Sequence, residues 1–571
     1  MKKNFFLFAL FVLFESNLSA QSYNTMWIPD TISGSVFNLT AVDTFRQITT
    51  GNQTVTASYN GSFWGPTLIF NKGDVVQMNV TNHLQDSTTV HWHGMHLPAI
   101  MDGGPHQIIP PNTTWSPYWQ VTNNAGLYWY HPHLDMMAQK QITEGLGGLI
   151  IVRDSIESSL ALPRTYSVDD IPLVITDRDI NTSKQFVEVP YGDSIMANGT
   201  LRAQYNIPSQ VVRFRILDAA IETSYNLGFS DNRSFYVITT DGGLVNAPVL
   251  ISGAAPRFLL SAGERVEILV NCTGQSGTSV FLKAYNASLP QNVPGGDQFP
   301  GGPFVSYLGH TDYNILKLNI GSQTANPITT IPATLTTNAF PSVANLTRTV
   351  TITDSTGVIN PPILGPNAFI LNHHLFNLNY IDYTVPLNNT EIWQLTSTSG
   401  FSHPFHIHDV EFYILTRNGV APPAYEQGWK DVVLVKSGET VRFIAKFEDY
   451  ADILHPFMFH CHIALHEDEG MMGQFVVGQS TTGINELVKS NVDFSIQPNP
   501  ASDRLFVELN DAANSIYYIT ISNALGKTIL MLPKPQTEKG IDISKLKPGN
   551  YFLTLIDDKY KMHSTKKFIK L

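Results

Sequence analysis

Cysteine is scarce in this chain: Cys272 and Cys461 are the only two among 571 residues. A disulfide framework is excluded, and if Cys461 serves as a metal ligand no intrachain disulfide remains. Long apolar runs are scarce too. The one near the start, Phe5 to Phe14, is ten residues long, too short to cross a bilayer as a helix. No other segment approaches transmembrane length. Basic residues are outnumbered, with 35 Lys and Arg against 47 Asp and Glu and a formal net charge of −12. With no phosphate-binding glycine loop and no basic stripe among aromatics, that balance argues against a nucleic-acid partner. No long stretch repeats apolar residues at helical spacing.

What is plentiful is strand-forming text. Val, Ile, Thr, Phe and Tyr recur with Gly, Pro and Asn at short intervals. Leu68 to Phe70, Val75 to Val80, Val211 to Leu217, Val266 to Val270 and Val441 to Phe447 all read as strands. The composition predicts an all-β protein built of sandwiches, and the length allows three or four domains. Cys272, just after the run Val266 to Val270, is expected to be a small buried residue.

Metal-ligating chemistry concentrates in four short windows. His460-Cys461-His462 is followed by His466 and Met471. His91-Trp92-His93-Gly94, His131-Pro132-His133 and His403-Pro404-Phe405-His406-Ile407-His408 complete the set. The windows hold ten of the 18 histidines. A thiolate, imidazoles and a weak thioether together describe a blue-copper electron-transfer site. On an extended segment successive side chains point to opposite faces. If Cys461 points one way, His460 and His462 point the other. One short segment can then serve two metal sites, with the cysteine as the covalent link between them.

In content and order these windows resemble the copper motifs of the multicopper oxidases: HWHG, HPH, HPFHIH and HCHIALHEDEGMM. The text around them, MDGGPHQIIPP, GLGGLIIVRD and LLSAGERVEILV, is similar to that of bacterial three-domain members, the periplasmic cuprous oxidases especially. The resemblance covers about residues 25–480. It implies three cupredoxin-like Greek-key domains, near 25–158, 159–325 and 326–480, and four copper ions. His403, Cys461 and His466 would hold a type 1 copper, with Met471 axial. His91 and His406 would hold a type 2 copper. His93, His131, His133, His408, His460 and His462 would hold a type 3 pair. The first and third domains must then pack together, while the middle one carries no ligand and spaces the others. Dioxygen would be the electron acceptor, reduced to water with protons relayed by Asp102 and Glu467. Read alone, Asp102 is also a turn residue before Gly103-Gly104, and Glu467 also suits a partner that orients a histidine.

Both ends of the chain carry a different message. Met1-Lys2-Lys3, the apolar run and Ser19-Ala20 read as a secretory signal peptide, residues 1–20, with no twin arginine. Export by the general unfolded route is expected, with copper inserted outside the cytoplasm. Residues 481–492 read as a linker. From Asp493 to Leu571 the chain carries eleven Lys and Arg against eight Asp and Glu, whereas the part before it carries 24 against 39. QPNPASDRL, LKPGNYF and the basic terminus resemble the sorting domain of proteins exported by the type IX secretion system. The resemblance implies a small β-sandwich, residues 493–571, read by that machinery. The protein would pass through the periplasm of a Gram-negative bacterium to the surface or the medium.

The electron donor is less sharply marked. A methionine-rich cover, which would bind Cu(I), is missing: residues 340–400 contain no methionine, and Ser399-Gly400-Phe401-Ser402 has no acidic residue. Met95, Met101, Met136 and Met137 are expected to be core packing. The reading is a laccase-like oxidase of phenols or aromatic amines, with a type 1 edge open to bulky donors. The alternatives are a cuprous or other metallo-oxidase in copper tolerance, a bilirubin-oxidase-like activity, and a non-enzymatic copper-binding or scaffold protein. Loss of ligands would mark the last, and none is lost. Two-domain copper nitrite reductases lack the paired HPH and HCH sets.

Overall fold

The computed structural model describes residues 22–296, 306–355, 369–478, 494–509, 517–523, 528–533, 540–557 and 562–571. The expected signal peptide and linker lie outside the described residues. The chain divides into two compact units. One is Met1–Tyr380 with Thr390–Lys446 and Phe457–Gln474, and the other is Ile381–Asn389 with Phe447–Pro456 and Phe475–Leu571.

The expected strands form, each within a residue or a few of its expected bounds: Thr67–Asn71, Val75–His83, Val211–Asp218, Arg265–Asn271 and Thr440–Lys446. Among the described residues the α-helices are short, Ala138–Glu144, Ser155–Ser159 and Ala464–Asp468. None is long and apolar enough to cross a membrane.

In the first unit, the N-terminal part builds two sheets. One runs in the order Thr31–Ser33, Thr67–Asn71, Gly148–Arg153, Gly126–His131, His91–His93. The other contains Thr54–Tyr59, Val36–Arg46 and Val75–His83. Alternation turns Phe37, Leu39, Val76, Met78 and Val80 inward, where they share a core with Leu68, Phe70, Tyr130 and Ile150. His91–His93 pairs with Gly126–His131 so that His91 faces His131 and His93 faces Trp129. The period of two then puts His91, His93 and His131 on one face.

The middle part has a larger sandwich, whose core includes Ile171, Leu173, Phe214, Ile216, Val266 and Ile268. The strand Asn24–Thr25 joins it, pairing in parallel with Ala203–Pro208. Cys272 is fully buried there, and it and Cys461 are both free thiols.

The third part has a five-stranded sheet of Phe369–Leu371, Leu346–Asp354, Thr390–Ser397, Thr440–Lys446 and Phe412–Arg417. Beyond it, His403–Ile407 pairs on one side with Val432–Val435 and on the other with Asp452–Cys461. That register sets Phe405 opposite Cys461 and His406 opposite His460.

In the second unit, Tyr383–Pro386 pairs in parallel with Met472–Gly478. Residues from 494 on form a three-stranded and a four-stranded sheet around Phe494, Leu505, Val507, Ile519, Leu553 and Phe568. No histidine window falls in this sandwich.

The middle sandwich carries an internal charge network. Arg215 Nε donates to Asp170 at 2.7 Å and its Nη1 to Glu267 at 2.6 Å. Arg213 Nε donates to Glu267 at 2.7 Å and its Nη1 to Glu157 at 2.7 Å. Glu267 and both arginines are buried, so each charge is tolerable only because its partners are in place. The network braces Val211–Asp218 against Arg265–Asn271, the strand that opens on Arg265. Glu267→Ala would leave two buried guanidiniums short of a carboxylate. It should cost about 3–5 kcal/mol of stability, read as a lower denaturant midpoint; an unchanged midpoint would show the network to be dispensable.

Candidate metal centre

All ten histidines of the four windows are buried, with exposures from 0 to 5%. Burial disfavours the charged imidazolium. It pushes His93, His131, His133, His403, His406, His408 and His462 well below the usual histidine range, and His460 and His466 down to about 3. Neutral imidazoles have one N–H and one lone pair each. Where the N–H goes therefore decides where the lone pair points.

Eight of these side chains meet in one cluster. Six of them commit Nδ1 outward. His91 Nδ1 lies 3.0 Å from the Asp102 carbonyl oxygen, and His406 Nδ1 lies 2.8 Å from that of Asp431. His131 and His460 use the carbonyls of Pro132 and Cys461, each at 3.0 Å. His408 Nδ1 donates to Asp102 Oδ2 at 2.7 Å. His133 Nδ1 sits 3.1 Å from Glu467 Oε1, near but out of line for a hydrogen bond. His93 is reversed. Its Nε2 donates to Asp431 Oδ1 at 3.1 Å, and Nδ1 faces inward.

The inward nitrogens form two trios. His93 Nδ1 lies 3.3 Å from His131 Nε2 and 3.2 Å from His462 Nε2. His460 Nε2 lies 3.2 Å from both His133 Nε2 and His408 Nε2. His91 Nε2 and His406 Nε2 are buried with no partner at all. Orphaned lone pairs and facing lone pairs in a dry interior both call for a cation between them.

Cys461 turns away from this cluster, as the alternation requires. Its Sγ is 3.7 Å from His403 Nδ1 and 3.5 Å from His466 Nδ1. Burial pushes the thiol up, so it becomes a thiolate only with a cation against it. Met471 is fully buried. Its N–H donates to the His466 carbonyl at 2.8 Å, and its carbonyl accepts from Cys461 N–H at 3.1 Å. The ligand-like atoms of His403, Cys461 and His466 lie within 4.8 Å of one another, as do those of His91, His406 and His408 and of His133, His408 and His460. Every histidine expected as a ligand, and Cys461, therefore lies in one of two groups, joined through His460-Cys461-His462.

Asp102 is both a turn residue and a histidine partner. It follows the 3-10 turn Ala99–Met101, and Gly103, at φ +80°, presses so closely on Val90 that a Cβ would lie 1.7 Å from the Val90 carbonyl oxygen. Glu467, in the helix Ala464–Asp468, reaches His460 Nδ1 at 3.4 Å as well as His133. Burial pushes its carboxyl well up.

Four residues carry no signal by type or spacing. Asp431 receives two imidazoles. Arg265 of the middle part grips Asp431 with both Nη atoms, at 2.6 and 2.5 Å. Gly263 leaves room for His462, whose ring carbons would lie 2.7 Å from a Cβ. Asp354 Oδ1 accepts from Ser399 Oγ at 2.8 Å, and Ser399 Oγ lies 3.1 Å from His403 Nε2, so a carboxylate stands near this site although residues 399–402 supply none. The methionine expectation is corrected in part. Met95 is core, but Met136 is 68% exposed and held at φ +64°, where the turn before Ala138–Glu144 turns its side chain outward.

Known proteins resemble this chain. Multicopper oxidase family profiles match residues 42–157 and 341–481, and a secretion system C-terminal sorting domain profile matches 495–571. A multicopper oxidase of Staphylococcus haemolyticus is 30% identical over 433 residues, 74% of this chain and 84% of that protein. The cell division protein FtsP of Shigella dysenteriae is 29% identical over 441 residues, 75% of this chain and 87% of that protein. The crystallised laccase-like multicopper oxidase of Ochrobactrum sp. matches with a TM-score of 0.69 at 30% identity, covering 79% of this chain and all of that one. The sandwiches are thus cupredoxin-like, the cofactor is copper, and the reaction is oxidation of a reductant by dioxygen. The terminal sandwich is a sorting domain, which makes the protein secreted or cell-surface. Kinship over three quarters of its length, with an imidazole shell built for cations, shows that this chain belongs to the multicopper oxidase family.

Proposed function

We propose that this protein is a laccase-like oxidase whose donors are phenols and related aromatics, working outside the cell. The observation that carries the donor class is the cover of the cysteine site. Phe369 and Phe401 are half-buried and stack on each other at 6.3 Å and 23°. The Phe369 ring lies 4.6 Å from both His403 and His466. Aromatic rings at such distances attract planar partners. The Ochrobactrum relative is described as acting on lignin model compounds, which supports the same class. Residues 356–368 lie outside the described residues.

In this reading His403, Cys461, His466 and Met471 would hold the type 1 copper. His91 and His406 would hold the type 2 copper, and the trios His93, His131, His462 and His133, His408, His460 would hold the type 3 pair. Bound copper would supply one-electron chemistry at the first site and the four-electron reduction of dioxygen to water at the cluster. The chain does the rest. Cys461 and its flanking histidines provide the covalent route between the sites. Asp102 and Glu467, each touching two imidazoles of the cluster, are placed to hold and deliver protons. Domain boundaries near 158 and 325, export through a Gram-negative periplasm and type IX secretion complete the reading. A metal-ion donor is the second reading, favoured by the Asp354 carboxylate behind Ser399.

A steady-state comparison of a methoxyphenol with Cu(I) on copper-loaded protein tests the donor class. The phenol should give the higher kcat/KM, and Phe401→Leu should lower that value about three- to tenfold. Preference for Cu(I), unaffected by Phe401→Leu, would favour the metallo-oxidase instead.

Cys461→Ser should abolish the blue colour and donor oxidation together, since the thiolate gives both; a blue variant would overturn the type 1 assignment. Glu467→Gln keeps shape but cannot carry a proton. It should retain copper and slow reoxidation by dioxygen on the order of 10²–10⁴-fold if the proton step limits. Native reoxidation at every pH would leave Glu467 only the task of orienting His133 and His460.

A further inference from the structure

The middle part of the chain carries none of the expected copper ligands, yet it reaches the cluster through Arg265. Arg265 is fully buried, and all five of its N–H groups are used. Nε donates to the Leu127 carbonyl at 3.2 Å, Nη1 to the Gly263 carbonyl at 3.1 Å, and Nη2 to the Asp241 carbonyl at 3.2 Å. The remaining two N–H groups form a fork on Asp431, Nη1 to Oδ1 at 2.6 Å and Nη2 to Oδ2 at 2.5 Å. Asp241 holds the same residue from behind. Its Oδ2 accepts from Asp431 N–H at 3.4 Å, from Val432 N–H at 3.3 Å and from Lys430 Nζ at 2.9 Å.

Asp431 so fixed acts on two imidazoles that come from opposite ends of the chain. Its carboxylate takes the Nε2 proton of His93 and its carbonyl takes the Nδ1 proton of His406. One nitrogen is thereby assigned on each ring. His93 must present Nδ1 to His131 and His462, and His406 must present its partnerless Nε2. A carboxylate accepts and cannot donate, so it permits only this tautomer of His93. A bidentate guanidinium keeps the carboxylate plane from turning, which an ammonium cannot do.

We propose that Arg265 and Asp431 are positioning residues for the trinuclear cluster: the middle domain sets, through this ion pair, which nitrogens His93 and His406 offer to copper. The proposal rests on the ligand assignment given above.

Asp431→Asn separates positioning from packing. The amide is the same size, and Arg265 claims its oxygen. The NH2 group then faces His93 and donates to Nε2, which moves the His93 proton to Nδ1 and turns the lone pair away from the cluster. The full-length, copper-loaded variant should keep its type 1 blue absorbance while losing copper from the type 3 pair that His93 helps to hold, read as a total copper content that falls relative to the blue band. Arg265→Lys, which keeps the charge but not the fork, serves as the second variant should Asp431→Asn not fold. Its affinity for type 2 copper, measured by competition with a chelator, should fall about 10- to 100-fold, again with the blue band intact. Native copper content in Asp431→Asn, or native affinity in Arg265→Lys, would overturn the proposal and leave the pair as domain packing, as would a parallel loss of type 1 copper in either variant. Absence of a type 2 signal in the parent protein would instead sink the ligand assignment.

Discussion

Ten imidazoles and a thiol are buried together, and most of the architecture follows from what that burial demands. Each neutral ring needs an acceptor for its one N–H, or it loses the hydrogen bond that water would give. The acceptors here are backbone carbonyls of Asp102, Pro132, Asp431 and Cys461 and the carboxylates of Asp102, Asp431 and Glu467. They come from segments hundreds of residues apart in sequence. A cluster of this kind is complete only when the N-terminal and third sandwiches meet, so copper binding and domain packing are one event. The four windows are short because each needs only a strand end to aim two or more side chains; the rest of the chain brings the ends together.

The separation of the two sites has the same origin. A strand sends neighbouring side chains to opposite faces, and the register of Asp452–Cys461 on His403–Ile407 places Cys461 against Phe405 and His460 against His406. In the proposed reading one peptide segment therefore has a donor side and an oxygen side. The apolar residues around it, Phe405, Phe443 and Phe459 among them, keep that path dry. They give it the low dielectric in which fixed charges and dipoles act strongly.

Much of this was legible in the sequence. Ligand windows announce themselves because copper needs particular atoms at strand spacing, and strands such as Val75–His83 and Arg265–Asn271 show in the alternation or the β-branched run. What was not legible were residues whose role depends on a partner far away. Asp431 looks like any acid before a strand, and Arg265 like any cation in the run GERVEILV. Nothing local tells that one meets the other across 166 positions or that His93 is the ring they orient. Asp354 stayed hidden for the same reason, since a carboxylate expected within residues 399–402 arrives from another strand. Met136 misled because a methionine near ligand windows suggests packing, whereas its backbone conformation turns it outward.

The two sites differ in how freely their surroundings can vary. At the trinuclear cluster every inward nitrogen has its counterpart on the far side of the same ring, so a change to an acceptor changes a ligand. Around the cysteine site the outer layer is Phe369, Phe401, Ser399 and Asp354, of which none bonds Cys461 and only Ser399 meets an imidazole nitrogen. Substitutions at Phe369 and Phe401 alter what approaches His403 and His466 without touching what holds them. In the proposed reading donor choice is therefore written in that cover, whereas the reaction with dioxygen is written in the acceptors behind the histidines.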